Sequence, residues 1–164
     1  MFKNFKEVFS VLPQDLKKRV YGLKDIPQNP EHHPEGNTLK HVIITVQRAI
    51  KIADNDLIAA AIFHDIGKDE TFEINPKTGK PTAHGHEEVS AKLVLKYRKF
   101  IRNVLQANPV VVYYIVRKHM KIKNFAEMRK SKQQFLQRNP QFNKLDMFSK
   151  RVDGGGRHLE NRKK

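Results

Sequence analysis

Apolar residues in this chain recur at helical intervals. Phe2, Phe5, Val8 or Phe9, and Leu12 fall on one side of a first short segment that Pro13 ends, and Gln14 to Leu23 continue as a second, strongly basic one. This stripe has the spacing of ordinary packing and predicts helices that cover a core. From Lys24 to Asn37, Pro27, Pro30, Pro34 and Gly36 break any regular element, so the stretch reads as loop. Thr38 is a fair N-cap for a helix to about Ala53, with Leu39, Val42, Ile43, Val46, Ala49 and Ile50 on its buried face. Asn55 and Asp56 start the next helix, which runs through Ala59-Ala60-Ala61-Ile62-Phe63 to His64-Asp65. It is expected to break at Gly67, where a residue without Cβ leaves a helix at low cost.

Lys68 to His86 form a long polar connection with Asn75-Pro76, Thr78-Gly79 and Pro81, a candidate for facing substrate. Further helices are expected from His86 onward, carrying Val89, Leu93 and Val94, and from Pro109 through the apolar run Val110 to Val116. Two more are expected around Phe125 to Arg138 and Phe142 to Val152. With no internal repeat and no strand pattern of useful length, the expected fold class is all-α.

Chemistry sits where polar residues interrupt these apolar faces. His41, His64, Asp65, His86, His119 and Asp153 each fall in or at the edge of an otherwise apolar helical segment. Taken singly, each has an ordinary alternative, such as a core histidine bonded to a backbone carbonyl. Taken together, four imidazoles and two carboxylates suit a divalent ion: Mn²⁺, Fe²⁺, Co²⁺, Ni²⁺, Zn²⁺ or Mg²⁺. Six ligands exceed one open site and would serve two ions if Asp65 bridges them, so one or two ions per chain are expected. The Pro-stiffened loop adds His32, His33 and Glu35, which line a site or stay solvated. His84 is either a supporting group or exposed.

Composition narrows the classes. The absence of cysteine excludes disulfides, thiolate zinc sites and a Cys nucleophile, and fits a reducing compartment. No run of about 18 apolar residues exists, and the start lacks the features of a signal peptide, so a soluble, cytoplasmic protein without membrane contact is expected. Net charge is +15, concentrated towards the end: Arg117 to Lys164 carry 15 Lys/Arg against 4 Asp/Glu. Such a basic C-terminal third is either a footprint for nucleic acid or nucleotides, or a solubilising surface.

The order His41, then His64-Asp65 within Phe-His-Asp-Ile-Gly-Lys, then Asp153, resembles the HD-domain superfamily of metal-dependent phosphohydrolases. His86 and His119 look like the extra ligands of its two-metal members. More narrowly, His33-Pro34-Glu35-Gly36 leading to His41, then Ala-His-Gly-His-Glu, Arg-Lys-His-Met and Asp-Gly-Gly-Gly-Arg, is similar to the HD portion of bacterial CCA-adding tRNA nucleotidyltransferases. The match runs from about Pro27 to Arg157. It implies an HD-domain helical bundle: a single domain over 1–164, with 1–25 as covering helices, 26–157 as the HD core and 158–164 as a basic tail. The nucleotidyltransferase part has no counterpart in these residues, so hydrolysis without CCA addition is expected. The implied substrates are nucleotides or RNA ends bearing a 2′,3′-cyclic phosphate, a 2′-phosphate or a related ester.

Following this resemblance, His41, His64, Asp65 and Asp153 are assigned to a first ion, and His86 and His119 to a second, weaker one. Asp65 and Asp153 would orient the attacking water. Lys68 and Arg157 are candidates for gripping the phosphate, with ordinary surface charge as their alternative, and His33 and Glu35 for touching substrate or supporting the ligands. Two competing readings remain: a nucleic-acid-binding or regulatory HD module with a structural metal, and a di-iron HD oxygenase.

Overall fold

The computed structural model describes residues 1–154. Its helices are α1 (Phe5–Ser10), α2 (Gln14–Gly22), α3 (Thr38–Ile52), α4 (Asn55–Phe63), α5 (Lys68–Thr71), α6 (His86–Lys96), α7 (Arg98–Asn103), α8 (Pro109–Ile122), α9 (Lys130–Gln137) and α10 (Phe142–Met147). The strands β1 (Glu73–Ile74) and β2 (Pro81–Thr82) form a two-residue antiparallel hairpin in the connection before α6. The fold is all-α. Among the described residues, no helix is long and apolar enough to cross a membrane.

α4 is the hub, and its sequence explains why. Every residue from Leu57 to Phe63 is buried, which only a helix apolar on all sides tolerates. Asp54 caps its start, its side chain accepting from Leu57 N–H. α3 and α8 pack against it, α6 packs on α8, and α10 with the turn after it closes over α3 and α8. Val8, Leu16 and Val20 of α1 and α2 enter the same buried cluster as Val46, Ile62 and Val112.

Several boundaries differ from the sequence reading, each for a local reason. α3 is capped by Asn37, whose side chain accepts from Lys40 N–H. Thr38 is buried inside the first turn and donates to Ile26 O. The expected helix at 125–138 is divided: a 3₁₀ turn Phe125–Glu127, then extended backbone at Met128 and Arg129, then α9. The expected helix at 142–152 changes character after Met147, where Phe148–Asp153 form a π-helical turn. Part of the connection after Gly67 is ordered as α5 and the hairpin.

Gly67 itself has φ −71, a conformation open to any residue, so the helix does not end there through glycine's freedom. Its missing side chain serves contact instead. A Cβ at Gly67 would lie 2.5 Å from His86 O and 2.8 Å from Ser90 N, and Gly67 N–H donates to Ser90 Oγ at 2.9 Å. The close approach draws the start of α6 against Asp65.

Candidate metal centre

Three of the four histidines are held by the backbone just before them. His64, His86 and His119 each have Nδ1 on the carbonyl three residues earlier: Ala61 O at 2.8 Å, Ala83 O at 2.8 Å and Val116 O at 2.6 Å. A carbonyl only accepts, so Nδ1 carries the hydrogen and Nε2 presents a lone pair. His41 is oriented differently. Its Nδ1 donates to Glu35 Oε1 at 2.6 Å, and the same oxygen faces His33 Nδ1 at 3.2 Å. The loop carrying Glu35 is pinned at its base, where Gln28 N–H donates to Gly36 O and Thr38 N–H to Ile26 O.

The Nε2 atoms converge in two pairs. His41 and His64 are 3.3 Å apart, and His86 and His119 are 3.1 Å apart. Neutral rings so arranged point lone pair at lone pair; a metal cation relieves the repulsion at either pair, and at the first pair a proton on His41 Nε2, facing Asp153 Oδ1, does so as well. Carboxylates complete each pair. Asp153 Oδ1 lies 3.0 Å from His41 Nε2 and 3.8 Å from His64 Nε2. Asp65 spans both, with Oδ2 at 3.4 Å from His64 Nε2 and Oδ1 at 3.1 Å from His86 Nε2 and 3.7 Å from His119 Nε2.

His41, His64 and Asp153 thus offer ligand atoms within 4.8 Å of one another, as do Asp65, His86 and His119. All six residues are buried. Among the described residues, buried Asp153 Oδ2 accepts no hydrogen bond, and Lys123 Nζ is its ion-pair partner at 3.2 Å. Convergent bare donors, a bridging carboxylate and an unsatisfied buried oxygen fit one or two divalent ions.

The electrostatics agree with that chemistry. Burial resists ionisation of Asp65, yet the charge of Lys68, 2.9 Å from its Oδ2, holds its carboxyl well below the usual range. Asp153 is held down likewise, by Lys123 and His41. Burial pushes His64 down to about 3, so its ring stays neutral. Burial opposes protonation of His41 too, but Asp153 and Asp65 outweigh it and raise that pKa.

The remaining expected residues are distributed unevenly. Lys68 lines the cleft above the centre, its Nζ 2.9 Å from Asp65 Oδ2 and 2.9 Å from Gln28 Oε1. His33 lines the same cleft, while Glu35 stands behind His41. His84 is exposed at the cleft edge. Arg157 and residues 158–164 lie outside the described residues. The sequence reading missed Lys123, four residues after His119 on the same face, and Arg48, seven after His41, whose Nη1 donates to Val152 O at 3.0 Å. Helical spacing from a chosen ligand was the signal available for both.

The family model described as HD domain matches residues 38–153, most of the chain, and its bounds take in the whole donor set. The chain belongs to the HD-domain family. An HD domain is by class a metal-dependent phosphohydrolase. The chain is similar to multifunctional CCA proteins: 33% identical over 82 residues to that of Hahella chejuensis, covering 49% of this chain and 18% of that protein. To that of Herminiimonas arsenicoxydans it is 42% identical over 85 residues (49% and 19%), and to that of an Azoarcus species 31% over 102 residues (62% and 23%). The matched stretch therefore spans about a fifth of these relatives. No solved structure matches the HD-domain chain.

Proposed function

We propose that this chain, acting as one HD unit over residues 1–164, hydrolyses the phosphoester of a nucleotide or an RNA end. A 2′,3′-cyclic phosphate or a 2′-phosphate is the substrate we favour. The observation that carries the reading is the facing pairs of imidazole lone pairs bridged by Asp65. Similarity to multifunctional CCA proteins supports the choice of a nucleotide or RNA end.

His41, His64, Asp65 and Asp153 would hold a first divalent ion, and His86 and His119, with Asp65, a second. Bound there, such ions supply an acidified water and positive charge against the phosphoryl oxygens. Asp65 and Asp153 orient the attacking water and accept its hydrogen bonds, which their depressed pKa values allow because both stay ionised. Lys68 neutralises Asp65 from the cleft side and meets the incoming phosphate. Burial, together with the charges of His41 and Lys68, holds His33 down to about 4, so it faces substrate as a neutral ring. Glu35 fixes the ring of His41.

The test is product analysis on 2′,3′-cyclic nucleotides and on 2′-, 3′- and 5′-nucleotides, with Mn²⁺, Ni²⁺, Co²⁺ and Mg²⁺. Opening of the cyclic ester or release of 2′-phosphate is expected. Turnover confined to 5′-nucleotides would refute the substrate assignment. Turnover that needs oxygen and releases no phosphate would refute the hydrolase reading.

A further inference from the structure

The cleft over the metal centre continues along the surface. A cavity of about 460 Å³ beside Asp153 shares Lys123 and Ser149 with a further one of about 440 Å³, bounded by Phe125, Phe142, Gln137 and Lys150. Through Gln137, the end of α9 forms one wall of this trough. Buried Leu136 seats α9 on the body, and Gln133 Nε2 donates to Phe125 O at 2.8 Å.

The rest of α9 faces outward with an unusual composition. From Arg129 to Arg138 there is no acidic residue, while Arg129, Lys130, Lys132 and Arg138 are all exposed. Among the described residues, none of these four is in an ion pair. Phe135 is 71% exposed, with Lys132 one turn before it and Arg138 one turn after, both on its side of the helix. Simple solvation accounts for the cations alone, and a lone exposed ring is ordinary. An aromatic face set between unpaired cations has a more specific complement.

We propose that α9 is a docking platform for single-stranded nucleic acid, with a base stacked on Phe135 and the flanking phosphates beside Lys132 and Arg138. The strand then runs along the trough and delivers its end to the metal centre; this last part rests on the phosphohydrolase reading, whereas the platform does not. A single strand fits better than a duplex, whose bases are already stacked on one another and present only their edges. An acidic protein segment satisfies the cations but carries a ring only where its sequence supplies one, whereas every nucleotide sets a planar base beside its phosphate.

Fluorescence anisotropy of end-labelled oligo-U and oligo-dT of about 12 nucleotides tests this on the full chain, with a duplex and polyglutamate as competitors. Wild type should bind single strands with affinity falling steeply between about 50 and 200 mM salt. Phe135→Ala should weaken binding about tenfold with the salt slope kept, since stacking carries no charge. Lys132→Glu with Arg138→Glu should weaken binding and flatten the slope. Neither variant should alter hydrolysis of bis-p-nitrophenyl phosphate, because neither touches the metal centre. Tighter binding of oligo-U identifies RNA as the occupant, and tighter binding of oligo-dT identifies DNA. Equal affinity in wild type and both variants, or displacement of the strand by duplex or polyglutamate at equal concentration, would overturn the platform. Strand binding as described, without hydrolysis of any phosphoester, would support the platform and refute the catalytic reading.

Discussion

Single side chains set the geometry of the centre, and two positions show how. His64, His86 and His119 lean on carbonyls of their own backbone, which no side-chain substitution removes, whereas His41 relies on Glu35. Glu35→Ala should therefore weaken binding of one ion by about 10–100-fold in calorimetric titration while the His86–His119 pair still binds. Unchanged affinity for both ions would detach Glu35 from the centre. Gly67 works through absence. Gly67→Ala puts a methyl group against His86 O and Ser90 N, so denaturant unfolding should show a loss of about 1–3 kcal/mol from overpacking, with the second ion bound more weakly. A variant as stable as wild type would show that α6 moves aside freely.

Between elements, the π-helical turn at Phe148–Asp153 is a point where the backbone departs from regular geometry beside a candidate ligand. Arg48 on α3 holds that turn, its Nη1 donating to Val152 O and, more loosely, to Asp153 O at 3.5 Å. Arg48→Met keeps most of the aliphatic bulk and deletes the donor. It should lower affinity for the ion at Asp153 about tenfold and leave affinity at His86 and His119 unchanged, again by calorimetry. Equal losses at both sites, or at neither, would contradict a role specific to the turn.

A second junction lies at the end of α6. Buried Tyr97 donates from its hydroxyl to Asp15 Oδ2 of α2 at 2.5 Å, and burial, reinforced by that carboxylate, pushes its pKa up to about 12. A pKa raised on folding contributes stability that is present in full below the unfolded value near 10 and is lost as pH rises towards 12. Tyr97→Phe should thus be less stable than wild type at neutral pH, and the gap should narrow across that alkaline window. A gap that stays constant from pH 9 to 12 would contradict the coupling.

Across the whole molecule, the periodic apolar faces disclosed the helices, and the polar residues breaking them disclosed the donors that the fold gathers. Both readings rest on one fact: a buried helix leaves few places for a histidine or aspartate without a partner. What the sequence hid was set by tertiary contact. The π-helical turn after Met147 carries no local signal, because Arg48 reaches it from more than a hundred residues away. The interruption at Met128 and Arg129 depends on how the 3₁₀ turn and α9 meet the body, so a basic stretch of helical propensity read as continuous. Gly67 was legible as special, but its reason lay in α6, not in its own backbone.

If the buried histidines and aspartates hold metal for phosphoester hydrolysis, bound metal and activity depend on the same side chains. The decisive experiment measures metal content together with phosphoester cleavage, whether ring opening of a 2′,3′-cyclic nucleotide or release of a 2′-phosphate, on the purified wild type and on His64→Ala. Bound divalent metal with turnover in the wild type, and loss of both in His64→Ala, is the predicted result. Turnover retained in His64→Ala, or stoichiometric metal with no phosphoester cleaved, would overturn it.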